Sequence, residues 1–531
     1  MKIKKYFFLS LASCLFTLDS TVQAQEYLVP LNRDVNTRIE SFYETDTMSF
    51  HTSMKPFRVA ELKQIIPLDS IQSPIVNENK FNQTWVGRKL HKEHLIYIED
   101  DDLKLSIDPV FNFQLGRDVP AKDNVYTNSR GVLLQGDYKG RFYFYSGFRE
   151  NRVSYVNYVS DFVNNSNVAP GQARVKFLGD HVYDFSLAYG GVGYTLNKHF
   201  DFQMANDKNF IGDGYRSLLL SDNSANYPFL RLNMTFGKFK YSVIYSVMQD
   251  SITDADNLGG FRKKIGRFSY LDLNIGKRNQ LSIGIFETVI SKRSFDFNYA
   301  NPVVFLRPIE YSVGSPDNEL IGGNVKYKIN SHNILYGQLL LDEFVLSEVK
   351  SGKGWWGNKQ GFQVGGKSYD VFNIKNLNVQ TEFNYVRPYT YSHVTSQTSY
   401  SQYNQPLADP LGANFIESIS FVNYRWKNFF VEAKLLVSQI GEDYQGSNVG
   451  SNIFLSYDTH PYDYGNYILQ GIVTTIVYAD LHASYLLNPK TNFVIEGGVT
   501  DRHAKNNFGD LHTQLFYFGI STSLENFYFD F

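Results

Sequence analysis

Hydrophobic and polar residues alternate with a period of two from Leu103 onward, and two is the period of a β-strand. In Val192 to Phe202 the even positions are mainly apolar, whereas in Val182 to Tyr189 the odd positions form the apolar row. The same alternation is found in residues 239–247, 281–285 and 377–385. An apolar row facing lipid, opposite a polar row facing a lumen, predicts a transmembrane β-barrel in which both apolar rows contact lipid.

The connections between these segments alternate between short turns and long loops. Short turns such as Lys139-Gly140, Gly190-Gly191 and Gly237-Lys238 recur, and the connections between them have about 11 to 33 residues. The predicted strands start near residues 103, 131, 141, 182, 192, 229, 239, 269, 281, 324, 334, 361, 377, 418, 429, 471, 493 and 511. We therefore predict an all-β barrel of about 18 antiparallel strands with plug-like long loops. The first strand should start, and the last strand should end, on the periplasmic side.

The chain before Leu103 has a helical pattern. Apolar residues recur at helical spacing before and after Pro56. These residues are Val35, Ile39, Phe42, Tyr43, Val59, Leu62, Ile65 and Ile66. They predict two short amphipathic helices on the periplasmic side or inside the pore. The predicted organisation is a signal peptide at 1–24, an N-terminal periplasmic or plug segment at 25–102 and an outer-membrane barrel at 103–531.

The first residues have the features of a secretory signal peptide. Lysines precede an apolar run from Tyr6 to Leu18, and Ala24 is a small residue at the expected cleavage position. Cys14, the only cysteine, lies in a sequence similar to a lipoprotein box, but the apolar run continues past it. We expect cleavage near Ala24, which leaves a mature chain without thiols. A secreted chain without an apolar run of about 18 residues, but rich in aromatic strands, is predicted to reside in a Gram-negative outer membrane.

Composition and motifs limit the classes of function. The 38 Tyr and 43 Phe residues suit the aromatic girdles of a barrel in contact with outer-membrane lipid. The 51 basic and 53 acidic residues are balanced, which argues against nucleic-acid binding. The sequence has no zinc-protease, serine-hydrolase or phosphate-loop motif, and its eleven histidines are scattered. We therefore predict a protein that is not an enzyme, with no cofactor and no metal.

The stretch Asn209 to Leu232 interrupts the alternation with Gly, Asp, Arg and aromatic residues. Its Gly-Asp-Gly sequence is not a dinucleotide loop, because Ser217 replaces the third glycine and no βαβ pattern surrounds it. The glycines instead predict a tight turn that leaves Asp213, Tyr215 and Arg216 exposed for hydrogen bonding. Two roles remain open for these residues: a plug held by ion pairs to the barrel wall, or direct contact with a ligand.

Three other long connections combine aromatic rings with polar groups. Their candidate residues are Arg307, Glu310, Trp355, Trp356, Arg387 and Tyr389. Aromatic rings stack on the C–H faces of sugars and Arg donates to hydroxyls and carboxylates, so these residues are candidates for polysaccharide binding. The alternative is that Trp355 and Trp356 anchor the barrel at the membrane surface.

The chain ends with Phe527, Phe529 and Phe531 on one face of a predicted terminal strand. This ending resembles the signal that the barrel-assembly machinery reads, so that machinery is a predicted partner.

Several ordered stretches carry a family resemblance. They are FIGDGYRSLLLSDN at 210–223, NPVVFLRPIEYSVGSPDN at 301–318, YGQLLLDEF at 336–344, WWGNKQGFQVGG at 355–366 and NYVRPYTYSH at 384–393. Together they resemble the Wzi-like capsule-assembly barrels of Bacteroidetes, including those called gliding-motility protein RemB. The resemblance implies an eighteen-stranded outer-membrane barrel with a small helical N-terminal part, which agrees with the strand count.

The resemblance also implies a function. Wzi-type proteins are surface lectins that help to hold capsular polysaccharide on the cell, and RemB-type members are linked to gliding and adhesion. We therefore predict a barrel that associates with surface polysaccharide. The alternatives are a component of gliding motility or of an envelope secretion machine with protein partners, and a diffusion porin with an open lumen.

Overall fold

The computed structural model describes residues 28–45, 50–71, 75, 79–253, 260–276, 279–292, 297–302, 305–314, 317–444, 446–522 and 524–531. The predicted signal peptide and Cys14 lie outside these residues. Among the described helices, none has the length and apolar character needed to cross a bilayer.

Eighteen strands close into one antiparallel barrel, as the sequence predicts. They are β1 Leu103–Asp118, β2 Asp123–Tyr138, β3 Phe142–Ser154, β4 Val182–Thr195, β5 Phe200–Asp207, β6 Tyr227–Phe236, β7 Phe239–Thr253, β8 Phe261–Ile275, β9 Leu281–Ser291, β10 Asn318–Lys328, β11 Asn333–Glu343, β12 Lys359–Ser368, β13 Leu377–Val386, β14 Phe415–Trp426, β15 Phe429–Glu442, β16 Ile472–Asn488, β17 Phe493–Asn506 and β18 Gly509–Thr522. The barrel closes where β18 pairs with β1, with Leu515 opposite Asp118. Closure leaves no edge of the wall unpaired, which lipid requires.

The predicted turn at Gly190-Gly191 is wrong, because β4 continues through both glycines to Thr195. Gly191 and Gly193 are needed inside the strand, where neighbouring side chains come too close for a Cβ atom. A Cβ at Gly191 would lie 2.6 Å from Cβ of Ala205, and one at Gly193 would lie 2.0 Å from the ring of Tyr143. The turn therefore falls at 196–199, and β5 starts at Phe200.

The predicted long connections do not occur throughout the chain. The second strand starts at Asp123, eight residues before its predicted start at 131, so only residues 119–122 connect it to β1. Residues 507–508 connect β17 to β18. Long connections therefore occupy one end of the barrel between β3 and β16, and we call this the long-loop end. The opposite end, where β1 starts and β18 ends, is the short-turn end.

The outer face of the barrel is apolar over most strands. Exposed apolar side chains on it include Leu230, Val247, Ile285, Leu339, Phe362, Leu435 and Phe516. The first part of β4 is a correction to this rule: Tyr183 and Phe185 are buried and Asp184 is exposed. These rings pack against Val163 and Val175 of the β3–β4 connection, so here the apolar row faces inward. Burial under a loop gives the same alternation as contact with lipid.

The N-terminal segment contains the two predicted helices and several shorter ones. The eight α-helices of the described chain are α1 Arg33–Thr45, α2 Val59–Leu62, α3 Leu68–Ile71, α4 Lys80–Gln83, α5 Trp85–His91, α6 Asn157–Ser166, α7 Leu306–Ser312 and α8 Leu346–Ser351. Helix α1 packs its apolar face on α2 and α3, with Ile39 and Leu62 fully buried. Its polar face makes ion pairs to the inner side of the barrel wall, including Glu44 to Lys326 at 2.9 Å. Helices α1 to α3 therefore lie in the lumen, whereas α5 lies at the short-turn end, where the Lys89 carbonyl accepts a 2.9 Å hydrogen bond from Nδ2 of Asn488.

Short strands complete the described structure. Met54–Lys55 pairs with Phe210–Ile211, Ile96–Glu99 pairs with the start of β1, Lys176–Gly179 pairs with β4, and Ser401–Gln402 pairs with Gln405–Pro406. The first of these pairs joins the N-terminal segment to the Gly-Asp-Gly stretch.

The expected terminal strand over residues 525–531 is not formed, because β18 ends at Thr522. Residues 524–531 run as an extended tail inside the barrel. The ring of Phe531 packs 5.1 Å from that of Phe162, and the carbonyl of Phe529 accepts a 2.6 Å hydrogen bond from the Tyr158 hydroxyl. Polar groups of the tail bond to side chains of wall strands that point into the lumen, including Lys434 of β15 and Arg149 of β3, so the tail does not pair with the wall as a strand. The assembly-signal role of the phenylalanines stays a prediction.

Candidate functional site

Arg216 lies at the centre of a fully buried ion cluster in the lumen. Its Nη2 lies 3.1 Å from Oε1 of Glu417 on β14, and its Nη1 lies 3.1 Å from Oδ1 of Asp530 in the tail. Its Nε lies 3.7 Å from Oδ2 of Asp409. The side chains of all four residues are 0% exposed, so the predicted exposure of Arg216 is wrong. Asp213 is also buried. Arg216 therefore connects the wall, the β13–β14 connection and the tail.

The backbone around Arg216 is held by another buried carboxylate, Glu382 on β13. Its Oε2 accepts a 2.8 Å hydrogen bond from the N–H of Tyr215, and its Oε1 accepts one of 3.1 Å from the N–H of Arg216. This approach requires Gly214, because a Cβ there would lie 2.3 Å from the same Oε2. Gly212 also has a φ of 152°. The Gly-Asp-Gly sequence thus permits the predicted tight turn, and the carboxylate of Glu382 binds the backbone N–H groups that follow it.

Asp213 joins the same turn to the N-terminal segment. Its carboxylate accepts hydrogen bonds from Thr52 Oγ1 at 2.6 Å and Ser53 Oγ at 2.8 Å. It also accepts one from Nδ2 of Asn324 on β10, at 2.9 Å. Lys326 lies 3.7 Å away. Asp213 and Arg216 therefore fasten two residues of one turn to different parts of the structure, and the plug role stays a prediction.

The tail contributes a second set of polar contacts around Tyr215. Asp530 Oδ2 accepts hydrogen bonds from the Tyr215 hydroxyl at 2.8 Å and from Nζ of Lys434 at 3.0 Å. The hydroxyl of Tyr528 donates to Oδ1 of Asp222 at 2.6 Å. The sequence did not point to Tyr528 or Asp530 as partners of the turn, because more than 300 residues separate them from it.

Burial and charge act in opposite directions on the pKa values of Asp213 and Asp530. Burial alone raises the pKa of Asp213, but the charges of Lys326 and Lys55 outweigh it and lower that pKa. Burial likewise raises the pKa of Asp530, and the charges of Arg216 and Lys434 bring it below its usual value. Both groups therefore remain ionised at neutral pH.

These lowered pKa values predict an acid-sensitive plug. A carboxyl group whose pKa is lower in the folded state than in the unfolded state stabilises the folded state at pH values above its unfolded pKa. This contribution is lost as the pH falls from the unfolded pKa toward the folded pKa. We expect the barrel to be stable at neutral pH and to lose plug stability below about pH 4. Tryptophan fluorescence and bilayer conductance, recorded as the pH is lowered, measure the change. An Asp213→Asn variant should be less stable at neutral pH and less sensitive to acid; equal acid sensitivity in both proteins would contradict the assignment to Asp213.

Arg307 and Glu310 do not join the Arg216 cluster. They belong to α7. The connection that contains α7 covers part of the outer face of the wall, where the Tyr245 hydroxyl donates to the Ala300 carbonyl at 2.6 Å. Arg307 is 3.1 Å from Glu319 and 3.6 Å from Glu310, and its side chain is 64% exposed. These residues fasten an external segment to the barrel, and only Arg307 is open to solvent.

The other four predicted residues meet at the long-loop end. The ring of Trp356 stacks on His460 at 4.4 Å and lies 5.9 Å from Trp355 and 6.3 Å from Tyr389. Tyr389 is buried. Arg387 donates to the carbonyls of Asn358 and Asn466 at 2.7 and 3.0 Å, so it supports the loops.

Exposed tyrosines extend this aromatic cluster. The segment 460–467 lies beside residues 352–356, with the N–H of Trp356 donating to the Asp463 carbonyl at 3.0 Å. Tyr462 is 73% exposed and Tyr464 48%. We define the aromatic surface as Trp355, Trp356, Tyr457, His460, Tyr462, Tyr464 and Tyr467. The tyrosines of this surface are not among the residues predicted from the sequence, although the Tyr-rich stretch HPYDYGNY at 460–467 lies in a long connection.

The outer apolar face, the closed wall and the polar contacts in the lumen define a transmembrane β-barrel. A solved structure with a similar fold is Wzi of Escherichia coli, described as an outer-membrane protein involved in group 1 capsule assembly and as a carbohydrate-binding β-barrel. The TM-score is 0.53 at 12% identity, and the similarity covers 93% of this chain and 99% of Wzi. This likeness shows the fold.

Weaker similarities connect the chain with other barrels. Pseudomonas aeruginosa OprD has a TM-score of 0.42 at 11% identity, covering 81% of this chain and 96% of OprD. OccK1 of the same organism has a TM-score of 0.43 at 8% identity, covering 79% of this chain and 98% of OccK1. Comparisons with family models and with curated proteins gave no match.

Proposed function

We propose that this chain is a non-enzymatic outer-membrane barrel that associates with surface or capsular polysaccharide through its long-loop end. The observation that carries the proposal is the aromatic surface, whose exposed rings stand beside carbonyl, carboxylate and hydroxyl groups. The fold shared with Wzi, which is described as carbohydrate-binding, supports it. In this proposal the signal peptide is removed near Ala24, the assembly machinery inserts the barrel, and the long loops face outward.

The aromatic surface suits a sugar chain better than a small charged ligand. Exposed rings such as Tyr462 and Tyr464 offer flat apolar faces for the C–H groups of sugar rings, and their hydroxyls can hydrogen bond at the rim. The loops beneath are fixed by Arg387 and by the backbone pairing of 353–356 with 463–466. A fixed platform loses little conformational freedom when a polymer binds. No covalent chemistry is needed for this role.

Substitution of the exposed tyrosines tests the proposal. We expect Tyr462→Ser with Tyr464→Ser to lower the affinity for surface polysaccharide by about tenfold, because two stacking faces are lost. Binding is measured with the purified barrel on immobilised polysaccharide from the producing cells and on a glycan array. Tyr311→Ser is the matched control, since Tyr311 is 78% exposed on the external segment.

Three results separate the possibilities. Reduced binding in the double variant with unchanged binding in Tyr311→Ser supports the proposed surface. Equal binding in all three proteins contradicts its position, and no binding by the wild-type barrel contradicts the function.

The roles in gliding motility or in an envelope machine, and the diffusion porin, stay alternative predictions. A motility or secretion component would retain stoichiometric envelope proteins when the tagged barrel is isolated. A porin needs an open path, whereas the lumen here contains helices α1 to α3, the connections 208–226 and 387–414, and the tail. Conductance of the wild-type barrel distinguishes this role.

A further inference from the structure

Two histidines that are separate in the sequence meet on the β17–β18 hairpin. His503 and His512 are directly paired across the strands, and their rings stack at 3.9 Å with an angle of 14°. Both rings direct Nε2 at Oδ1 of Asp501, at 3.3 Å from His503 and 2.8 Å from His512. Asp501 and His503 are two residues apart on one strand, and His512 is opposite His503 on the next. One nitrogen or oxygen atom of each residue therefore lies within 4.8 Å of the other two.

The position of this cluster on the barrel leaves it open to water. Going toward the long-loop end, the outward-facing pairs are Val499 with Phe516, then Asp501 with Gln514, then His503 with His512. The outer face therefore changes from apolar to polar at Asp501. The side chains of Asp501, His503 and His512 are 41%, 48% and 37% exposed. The cluster stands just beyond the apolar belt, at the height expected for lipid headgroups.

We propose that Asp501, His503 and His512 bind a divalent metal ion of the zinc type. Two imidazole nitrogens and one carboxylate oxygen suit zinc, copper or nickel better than calcium or magnesium, which prefer oxygen ligands. Tetrahedral zinc with bonds of about 2.0 to 2.1 Å places its ligand atoms about 3.3 Å apart. The Asp501 distances of 3.3 and 2.8 Å need only small side-chain movements to reach that spacing.

The ion would have a role distinct from polysaccharide binding at the aromatic surface. Three protein ligands leave a fourth position open on a tetrahedral ion. At the edge of the apolar belt, an anionic group of the membrane surface or a water molecule fits this position. The pair Lys505 and Asp510 forms the next rung of the hairpin and supplies the nearest further charges on its outer face. The structure thus assigns to this hairpin a cation site outside the lumen.

Zinc binding to the full mature barrel in detergent tests the site. The protein is dialysed against zinc chloride beside His503→Asn/His512→Asn, and bound zinc is measured by elemental analysis. We expect stoichiometric zinc on the wild-type barrel and a loss of affinity of about 100-fold or more in the double variant. The matched control is His332→Asn, because His332 is an exposed histidine on a short turn at the other end.

The result is independent of polysaccharide binding, which the same preparations should retain. All substituted side chains are exposed on the barrel surface, so unchanged heat-modifiable migration in gels confirms that each variant folds. Zinc retained by His332→Asn and lost by the double variant supports the site. Equal zinc on the wild-type barrel and the double variant, or none on the wild type, overturns it and leaves the cluster as a hydrogen-bonded surface group.

Discussion

An Arg216→Met barrel is expected to conduct ions and to unfold at a lower temperature than the wild type. Methionine keeps much of the side-chain volume but leaves the carboxylates of Glu417 and Asp530 buried without their main cation. Removing one partner from a buried ion pair costs about 3 to 5 kcal/mol. The substitution weakens the contact of the 208–226 loop with the wall and the tail by that free energy. We therefore expect the loop to move out of the position that closes the lumen. Planar-bilayer conductance and the temperature of the heat-modifiable gel shift measure both effects.

The control for this experiment is Arg307→Met. It removes the same charge from a side chain that is 64% exposed on the outer face, where its partners Glu310 and Glu319 hold the external segment and not the 208–226 loop. We expect a silent barrel, because the contacts in the lumen are unchanged. A silent Arg216→Met barrel would contradict the plug role, and a wild-type barrel that already conducts would favour the porin alternative.

The wall of the barrel could be predicted from the sequence because it depends on a local pattern. Alternation and short turns are properties of neighbouring residues, and eighteen strands follow from counting them. The error at Gly190-Gly191 has a physical reason, since glycine serves both a tight turn and a close approach between strands. Only the position of Tyr143 and Ala205 on adjacent strands decides between these uses.

The sequence does not determine whether the apolar row of a strand faces lipid or the lumen. Tyr183 and Phe185 alternate like lipid-facing residues, yet a loop that follows β3 covers them. Arg307 lies in a connection with the same aromatic and polar composition as the one around Arg216, but it is outside the wall. Composition therefore indicated that these connections are structured and did not indicate on which side of the wall they fold.

The Arg216 cluster can be predicted only in part, from the Gly-Asp-Gly turn that interrupts the alternation. Its partners Glu417, Asp409 and Asp530 come from distant parts of the chain, and only the closure of the barrel brings them together. The same holds for His503 and His512, which the sequence shows as two unrelated histidines. Their meeting depends on the register of one hairpin, and no local pattern fixes that register to a single residue.

The tail has two sets of side chains that alternate along its sequence. Phe527, Phe529 and Phe531 are the predicted assembly signal, whereas Tyr528 and Asp530 form hydrogen bonds with residues of the 208–226 loop. Since neighbouring residues of an extended chain point to opposite sides, the two sets can be substituted separately.

A barrel with Tyr528→Phe and Asp530→Asn is expected to assemble in normal amounts and to conduct ions. These substitutions keep the phenylalanine row but remove the hydrogen bond to Asp222 and the charge between Arg216 and Lys434. The companion variant replaces the three phenylalanines by serine and should reduce the amount of barrel in the membrane, measured by blotting of membrane fractions. Conductance of the purified barrels provides the second reading. If the first variant fails to assemble while the second assembles normally, the two roles are assigned to the wrong residues.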